Sequence, residues 1–561
     1  MSLWERKGCL VVLSLAVVAL GLALALILTR HRCGPHRFQH AAVAADAKIC
    51  SDIGRDILLC DGSAVDAAIA ALICTSVLNP QSMGLGGGVI FTIYNATTGT
   101  VEVINARETA PQNMTESLLN QCRLTFLPGS QWIAVPGELR GYEEAHKRYG
   151  KLPWGRLFKP TIQLLEAGIK IPEVLNKFLN HEQLQPALKN SSLGKLFLNG
   201  RGAMMTTGET LHWPALVKTL KAVAENGTDE FYMGKTAEEL VRDVQEQGGR
   251  LTLEDLKNYR AKVVKPVNIS LGEYVMYSAP QPAAGPLILF ILNVLKGFNF
   301  TKEYMSTPVR KAEAFHYIAE TLKFANGQRA KVEDLEFSKI KEGIVRALIS
   351  EPFADHIRQL IDERGDHSAS HYNNPQLRMA SFGTAHVSVV AADGSAVSVT
   401  STINHPFGSM VYSEKTGIIL NNELADFCMK RSSRKISPGE MPPSSMTPSI
   451  LISKNGQSKL VIGGSGGLLI VPAVALAITN KLWFGYDLDS AIAAPILYAS
   501  WNNQIEVEKN FSLDIMAELR KKGHKVAVSN LTLNVVQGIS TDGSCIFPYS
   551  DKRKLGEASG Y

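Results

Sequence analysis

The sequence predicts a mixed α/β protein built of packed helix and sheet layers (α+β layers), with one apolar segment ahead of the folded body. From about residue 130 to residue 360, amphipathic stretches of helical periodicity are separated by glycine or proline. The C-terminal third instead has shorter, β-branched stretches such as "TAHVSVVAADGSAVSVTSTIN". Because helices and strands separate into blocks more than they alternate, helix and sheet layers are favoured over a doubly wound sheet.

The first predicted element is a membrane-spanning helix. Residues 9–29 form an apolar run of 21 residues without a charge. As a helix this run would be about 31 Å long, which matches a bilayer core. It also exceeds the roughly 7–15 apolar residues of a cleavable signal peptide. The run therefore predicts an uncleaved signal anchor, with residues 1–8 as a cytoplasmic tail.

The orientation of this anchor is predicted from glycosylation sequons rather than from charge. Basic residues flank the run on both sides, so the positive-inside rule gives no orientation. Eight N-x-S/T sequons follow the run, several of them in turn-like stretches where a glycan can be attached. We therefore expect a single-pass type II protein of the cell membrane with an extracellular body. The sequon asparagines are Asn95, Asn113, Asn190, Asn226, Asn268, Asn299, Asn510 and Asn530.

The composition argues against several classes of function. Basic and acidic residues nearly balance, at 58 and 52, and no basic stripe is interleaved with aromatic residues, so nucleic-acid binding is not expected. The eight cysteines do not suggest a disulfide scaffold in so long a chain, and they lack the Cys-x-x-Cys spacing of a zinc site. We expect neither a metal nor a cofactor.

The body begins with two predicted helices, a glycine run and a hairpin. Residues 40–80 have helical spacing that "DGS" at 61–63 interrupts and "NP" at 79–80 ends. The following "SMGLGGG" is not a dinucleotide fingerprint, because Val89 occupies the third required position. We interpret it as close backbone packing, ahead of a hairpin that turns at residues 95–99.

A later hairpin, "TAHVSVVAADGSAVSVTSTIN", brings two threonines together. Asp393 and Gly394 form a strong turn signal. A three-residue loop with Gly394 left-handed would place Thr384 opposite Thr402, and a two-residue loop would place Thr402 opposite Ala385. Either register brings a second hydroxyl near Thr384.

Thr384 has a possible role beyond that of a strand residue. A threonine hydroxyl is a poor nucleophile that needs an adjacent base, and a free α-amine on the same residue can supply one. Cutting the chain between Gly383 and Thr384 would create that amine. The pattern is typical of an N-terminal-nucleophile enzyme that cleaves itself. A Gly-Thr pair before a strand is common, so the accompanying motifs decide whether Thr384 has this role.

Four other stretches carry residues that suit such chemistry. An arginine can bind a carboxylate at two points, and backbone N–H groups at a helix start suit an oxyanion. Each residue alone also has an ordinary interpretation as a surface or packing residue. Those residues are Arg107 in "NARETAP", Glu423 and Asp426 in "NNELADF", Ser444 and Ser445 in "PPSSM", and Gly466 and Gly467 in "VIGGSGGLLI".

Together these motifs resemble the γ-glutamyltransferase family. Matching stretches run in order along the body: "AAVAADAKICSDIGRD", "GSAVDAAIAALIC", "SMGLGGG", "INARE", "VPGELRGY", "GTAHVSVVAADGSAVS", "TSTIN", "NNELADF", "PPSSM" and "GEASGY". The resemblance implies an αββα four-layer Ntn-hydrolase fold that cleaves itself between Gly383 and Thr384. It also implies a heterodimer of a large subunit, residues 30–383 plus the anchor, and a small subunit, residues 384–561.

The resemblance further implies a role for each site residue. Thr384 would be the nucleophile, with Thr402 bonded to its amine or hydroxyl and an oxyanion hole at Gly466 and Gly467. The remaining implied roles are a carboxylate site of Arg107, Ser444 and Ser445, an ammonium site of Asn404, Glu423 and Asp426, and a disulfide between Cys50 and Cys74.

The implied reaction cleaves the γ-glutamyl amide bond of glutathione and glutathione S-conjugates through a γ-glutamyl-threonine intermediate. Water, an amino acid or a dipeptide would accept the glutamyl group. The stretches "CTSVLNPQSMGLGGGVIFTIYN" and "TGIILNNELADFC" resemble the branch of the family that converts leukotriene C4 to leukotriene D4. Two stretches, "NGQRAKVEDL" and "CMKRSSRKISPGEMPP", depart from the family pattern and bear on acceptor preference.

Two alternatives stay open on the sequence alone. Residues 463–467 fit a G-x-S-x-G nucleophile elbow with Ser465, and Asp487 or Asp489 and then His524 follow in serine-hydrolase order. Against this alternative, the upstream chain lacks the β–α alternation of that fold. The other alternative is a catalytically inactive, membrane-anchored family member, because retained residues do not prove that cleavage occurs.

Overall fold

The computed structural model describes residues 33, 37–115, 117–122, 128–338, 342–374, 383–429, 435–529 and 535–561. The predicted cytoplasmic tail and signal anchor, residues 1–29, lie outside the described residues, as does the sequon residue Asn530. Among the residues that are described, no helix combines the length and the apolar character needed to cross a bilayer.

The strands of the described residues are short and mostly antiparallel. They are β1 (Ala42–Ala44), β2 (Gly88–Asn95), β3 (Thr100–Ala106), β4 (Ile169–Lys170), β5 (Thr210–Leu211), β6 (Lys262–Val264), β7 (Val267–Leu271), β8 (Tyr274–Ser278), β9 (Ala385–Val390), β10 (Ala396–Thr402), β11 (Tyr412–Ser413), β12 (Ile418–Ile419), β13 (Ser449–Ser453), β14 (Lys459–Ser465), β15 (Leu497–Ala499), β16 (Ile505–Val507), β17 (Val526–Val528), β18 (Val535–Asp542), β19 (Cys545–Ser550) and β20 (Ser559–Gly560).

The helices fall before β9 and after β14. They are α1 (Lys48–Leu59), α2 (Ala64–Leu78), α3 (Glu138–Tyr149), α4 (Trp154–Ala167), α5 (Glu173–Leu179), α6 (Gln185–Asn190), α7 (Gly194–Phe197), α8 (Pro214–Asn226), α9 (Asp229–Tyr232), α10 (Lys235–Glu246), α11 (Leu253–Asn258), α12 (Gly285–Lys296), α13 (Pro308–Gln328), α14 (Glu342–Leu348), α15 (Glu351–Leu360), α16 (Ile470–Leu482), α17 (Leu488–Ala493) and α18 (Leu513–Lys521). Short 3₁₀ helices span Leu118–Gln121, Ser130–Trp132, Lys302–Met305, Arg329–Lys331, Glu423–Met429, Gly467–Leu469 and Lys552–Lys554.

Two large sheets lie face to face with helices on their outer sides. One sheet has the order β20-β1-β9-β10-β2-β3-β6 and the other the order β19-β18-β14-β13-β8-β7. Side chains alternate along a strand, so Val390 of β9 packs between the sheets with Val461 and Ile539. Its neighbour Val389 enters the outer core that includes α1, α2 and α3. The second sheet buries Leu451 in another outer core with α12, α13 and α16.

Helix α2 is buried on all sides beneath the first sheet. Its sequence has no polar face, as expected for a helix enclosed by protein, and every residue from Ala64 to Leu78 is buried. The helix begins with a capping box, in which the Ser63 hydroxyl accepts a 3.0 Å bond from the Asp66 N–H and the Asp66 carboxylate accepts a 2.9 Å bond from the Ser63 N–H. This rigid helix supports the strands that carry the site described below.

The two predicted subunits share both sheets. In the first sheet, β20, β9 and β10 follow Gly383, whereas β1, β2, β3 and β6 precede it. In the second, β7 and β8 precede Gly383 and the other four strands follow it. Chain cleavage at that point would therefore leave two fragments joined by continuous ladders of backbone hydrogen bonds.

The layers predicted from the sequence are confirmed, with local corrections. The hairpin at residues 95–99 joins β2 to β3 as predicted. Residues 42–44, interpreted as helical, form β1, because they pair with β9 and β20 rather than continue into α1. The largely helical region also contains β6–β8, whose strands complete both sheets through pairing with partners far away in the sequence.

Three disulfides occur among the described residues. The predicted Cys50–Cys74 pair is confirmed and joins α1 to α2. Two further bridges, which no sequence pattern predicted, join Cys33 to Cys545 and Cys122 to Cys428. Cys60 is free and exposed.

Candidate active site

Thr384 lies directly opposite Thr402 at the open end of the β9–β10 hairpin. Ser401 pairs with Ala385, and the Ala391 N–H donates to Ser395 O at 2.9 Å, which closes a three-residue loop. This is the first of the two registers that the sequence left open. The Thr384 hydroxyl donates a 3.2 Å hydrogen bond to the hydroxyl of Thr402.

The backbone at Thr384 is strained. Its φ of 132° lies in a region that a β-branched residue rarely adopts, and such an outlier costs about 1–3 kcal/mol. Gly383 has no room for a side chain, because a Cβ there would lie 2.1 Å from Asn404 O. The strain is therefore located at the peptide bond where the sequence predicts cleavage.

Lys554 fixes the backbone of Thr384 from the other side. Its buried Nζ donates a 2.7 Å bond to Thr384 O and pairs with the Asp46 carboxylate at 2.6 Å. Asp46 also accepts a 2.6 Å bond from Gln537 Nε2. Sequence reasoning missed Lys554 and Asp46, since each lies within or beside a family motif but carries no pattern of its own.

The glycine turn after β14 faces the same space. Gly466 and Gly467 have φ values of 119° and 59°, and the chain then enters the 3₁₀ helix Gly467–Leu469 and α16. Only glycine adopts both angles readily. The predicted strand, glycine turn and helix are thus present, and a turn at a helix start directs N–H groups outward.

A small cavity is lined by nearly all of the predicted site residues. Of the predicted catalytic and donor-binding residues, only Gly466 is absent from its lining, and its neighbour Gly467 lines the cavity. The lining residues are Arg107, Thr384, Thr402, Asn404, His405, Glu423, Asp426, Ser444, Ser445, Met446, Gly467, Leu468 and Ile470.

Arg107 forms ion pairs with two of the predicted site carboxylates. Its Nη1 lies 2.6 Å from Glu423 Oε2, and its Nη2 lies 2.7 Å from Asp426 Oδ2. The guanidinium also donates to the carbonyl oxygens of Pro442 and Pro443 at 3.2 and 3.1 Å. Glu423 and Asp426 begin one 3₁₀ helix, where residues three apart point the same way.

The charge around Arg107 favours an additional cation. Burial raises the pKa of Glu423 well above its usual value, although Arg107 opposes the effect. Burial likewise raises the pKa of Asp426, and it raises the pKa of the adjacent Glu108 to about 7. Three carboxyl groups thus surround one guanidinium. An ammonium group that entered here would stabilise the ionised form of these carboxyls.

The two serines directly follow Pro442 and Pro443, whose carbonyl oxygens accept hydrogen bonds from Arg107. The Ser444 N–H donates to Pro282 O at 2.8 Å, and Ser445 Oγ accepts a 3.3 Å bond from Arg329 Nη1. Arg329 also donates to Leu468 O at 3.1 Å, so it connects this loop to the glycine turn. Arg329 belongs to the stretch "NGQRAKVEDL", which departs from the family pattern, and the sequence did not predict this contact.

The residues of the serine-hydrolase alternative do not assemble. His524 uses one ring nitrogen with His316 at 2.8 Å and the other with Lys323 at 3.1 Å. Asp487 caps helix α17. Both ring nitrogens of His524 thus have partners other than Ser465, so the geometry gives Ser465 no histidine base of the kind that an elbow nucleophile requires.

Comparison with known proteins places these features in context. A sequence profile described as Gamma-glutamyltranspeptidase matches residues 50–561. Glutathione hydrolase 5 proenzyme of Rattus norvegicus is 53% identical over 99% of this chain and 98% of its own length. The Homo sapiens protein of the same name is 51% identical over 98% of each. The crystal structure of cephalosporin acylase from Bacillus halodurans has a TM-score of 0.82 at 24% identity, covers 94% of this chain and 97% of its own, and shows a shared fold.

Proposed function

Because this chain belongs to the gamma-glutamyltranspeptidase family, we propose that it cleaves the γ-glutamyl amide bond of glutathione with Thr384 as the nucleophile. The observation that carries the proposal is the position of Thr384, which lines the cavity and is hydrogen-bonded to Thr402. The family relationship supports an Ntn-hydrolase fold of the αββα type.

The first step is maturation. The Thr384 hydroxyl attacks the Gly383 carbonyl carbon, and the amide becomes an ester as the nitrogen takes up the proton. Water then hydrolyses the ester, which leaves a carboxylate on Gly383 and a free amine on Thr384. The strained φ at Thr384 favours this attack, since the bond that breaks relieves the strain. The products are a large subunit of residues 30–383 plus the anchor and a small subunit of residues 384–561.

In the mature enzyme the new amine takes the proton from the Thr384 hydroxyl, and the oxygen attacks the γ-carbonyl carbon of the donor. The N–H groups of Gly466 and Gly467 stabilise the oxyanion. The amine returns the proton to the departing nitrogen, and a γ-glutamyl-threonine ester remains. Water, an amino acid or a dipeptide then attacks the ester and regenerates Thr384.

The donor's α-amino acid end binds in the charged part of the cavity. Arg107, with Ser444 and Ser445 in the loop whose proline carbonyls it contacts, is suited to the α-carboxylate. Asn404, Glu423 and Asp426 are suited to the α-ammonium. In the free site Arg107 pairs with Glu423 and Asp426, so a zwitterionic ligand can exchange these pairs for its own without leaving a charge unpaired.

The finer parts of the proposal concern substrates and location. We propose that glutathione S-conjugates, including leukotriene C4, are also donors, which the sequence resemblance supports. We further propose a type II membrane protein with residues 9–29 as its anchor and an extracellular, glycosylated body. Exposure of six sequon residues supports this location; they are Asn113, Asn190, Asn226, Asn268, Asn299 and Asn510, while Asn95 is half-buried.

Two variants separate this proposal from the serine-hydrolase alternative. Thr384→Ala removes the nucleophile and is expected to abolish both chain cleavage and hydrolysis of a γ-glutamyl anilide. Ser465→Ala leaves the neighbouring glycine N–H groups in place and should mature and retain substantial activity. If Ser465→Ala were inactive and Thr384→Ala active, Ser465 rather than Thr384 would be the nucleophile.

A further inference from the structure

Two disulfides connect the segments on either side of Gly383. Cys33 and Cys122 precede the proposed cleavage site, whereas their partners Cys545 and Cys428 follow it. The paired Cα atoms are 5.8 and 5.5 Å apart, within the ordinary range for a disulfide. Both bridges would therefore join the large subunit to the small one after cleavage.

The second of these bridges lies beside the donor site. Cys428 belongs to the 3₁₀ helix Glu423–Met429, which we call the acidic helix, and follows Asp426 by two residues. Its partner Cys122 directly follows the large-segment helix Leu118–Gln121. The bridge therefore fixes one end of the acidic helix, while the ion pairs to Arg107 fix the other.

The acidic helix also packs against the large segment, but it does so outside both main cores. Its apolar side chains belong to a small satellite cluster, separate from the two main cores; the cluster consists of Ala110, Leu118, Trp132, Ala134, Leu424, Ala425 and Phe427. A 3₁₀ helix of this length has weak intrinsic stability. A covalent bond at Cys428 can thus contribute substantially to holding Glu423 and Asp426 in position.

We propose that the Cys122–Cys428 disulfide is an inter-subunit bond that positions the acidic helix for donor binding. This inference rests on the proposed cleavage and donor site. The bond forms by thiol–disulfide exchange with a disulfide oxidant of the secretory pathway: two protein thiols become one disulfide, and the oxidant's disulfide becomes two thiols. Cys122 and Cys428 are only partly buried, whereas Cys50 and Cys74 are fully buried, so a dithiol reductant should reach the Cys122–Cys428 bond more readily.

The covalent part of the proposal is tested by denaturing electrophoresis of the purified full-length protein in SDS. Without reductant, cleaved protein should migrate as one species of the full mass, and with dithiothreitol it should separate into two. Cys122→Ser/Cys428→Ser combined with Cys33→Ser/Cys545→Ser should give two bands without reductant. Two bands from unreduced wild-type protein would overturn the covalent link, whereas a single band after reduction would refute the proposed cleavage instead.

The positioning part is tested by kinetics with a γ-glutamyl anilide. Cys122→Ser/Cys428→Ser should raise KM about fivefold or more and leave kcat within about twofold, because Thr384 is untouched. Cys33→Ser/Cys545→Ser removes an equal number of inter-subunit bonds away from the cavity and serves as the matched control with unchanged KM. Equal KM values in the two double variants would mean that the bridge only links the subunits, and this result would overturn the positioning role.

A second measurement covers the case in which the Cys122→Ser/Cys428→Ser protein does not fold. The folded Cys33→Ser/Cys545→Ser protein is treated with dithiothreitol, which becomes a cyclic disulfide as Cys122 and Cys428 become thiols. KM should rise as that bond is lost, as mass spectrometry of the alkylated peptides would show. A KM that stays constant through complete reduction would contradict the proposal.

Discussion

Across the β9–β10 hairpin, the hydroxyl of Thr384 donates a 3.2 Å hydrogen bond to the hydroxyl of Thr402. The Thr402 oxygen also accepts a 2.8 Å bond from the Asn404 N–H. A single buried oxygen thus orients both the proposed nucleophile and the start of the loop that follows β10.

Replacement of Thr402 by valine should slow turnover. Valine has nearly the same shape but cannot accept, so the hydroxyl of Thr384 and the N–H of Asn404 lose their partner. An unsatisfied buried group costs about 1–3 kcal/mol, which corresponds to roughly fivefold to 160-fold in rate. Thr402→Ser keeps the acceptor and should restore most of kcat. Equal activity of the valine and serine variants would exclude this role for the hydroxyl.

Arg107→Lys should raise KM for the donor steeply and change kcat less. The guanidinium contacts Glu423 and Asp426 with separate nitrogens. Lysine is a point charge, so it cannot reproduce this geometry or bind a carboxylate at two points. The matched control is Arg148→Lys, in which an exposed arginine pairs with Glu102. Steady-state kinetics should separate the two variants. An unaltered KM in Arg107→Lys would mean that the donor does not bind at Arg107.

KM for the donor should fall as the pH rises through about 7. Burial raises the pKa of Glu108 to about 7 and raises the pKa of Glu423 and Asp426. At lower pH these carboxyls hold protons that an incoming ammonium must displace. Glu423→Gln removes one of the titrating groups and should raise KM and flatten its pH dependence. An α-amine ordinarily titrates at about 7.7–8.0, so KM is measured separately from kcat between about pH 6 and about pH 8, and comparison with Glu423→Gln identifies the contribution of the carboxyls. A profile that rises with pH would contradict the assignment.

Lys554→Met should both destabilise the protein and slow its cleavage. The substitution leaves the buried Asp46 carboxylate without its cation, which costs about 3 kcal/mol or more, and removes the 2.7 Å bond to Thr384 O. Lys552→Met, in the same short helix but exposed, is the control. The midpoint temperature of thermal unfolding and the rate of chain cleavage should fall only in Lys554→Met. If Lys554→Met matures at the normal rate, the contact with Thr384 O has no role in maturation.

The chemistry-bearing motifs were predictable from sequence because, in their order along the chain, they resemble those of one family. The Asp393-Gly394 turn predicted that Thr402 lies near Thr384 in either of two registers, and the glycine turn at 466–467 predicted a helix start. Each motif alone also had an ordinary interpretation, and only the ordered set indicated a shared site. The geometry confirmed that nearly all of these residues reach one cavity.

The structural features that were not predicted from the sequence depend on contacts between distant segments. Lys554 and Asp46 are paired although they lie near opposite ends of the chain. Strands β6–β8 belong to the sheets through partners that no local pattern specifies. The bridges of Cys33 and Cys122 likewise follow from tertiary proximity, since cysteine spacing does not determine pairing.

The central claim is that cleavage before Thr384 creates the nucleophile, and the N-terminus of the small fragment tests it most directly. The purified protein should be reduced with dithiothreitol, separated by size, and the smaller fragment read by mass spectrometry or Edman degradation. We predict a fragment that begins Thr-Ala-His-Val-Ser, present in every active preparation. A fully active protein that remains one chain after reduction, or a fragment that begins at another residue, would contradict the account.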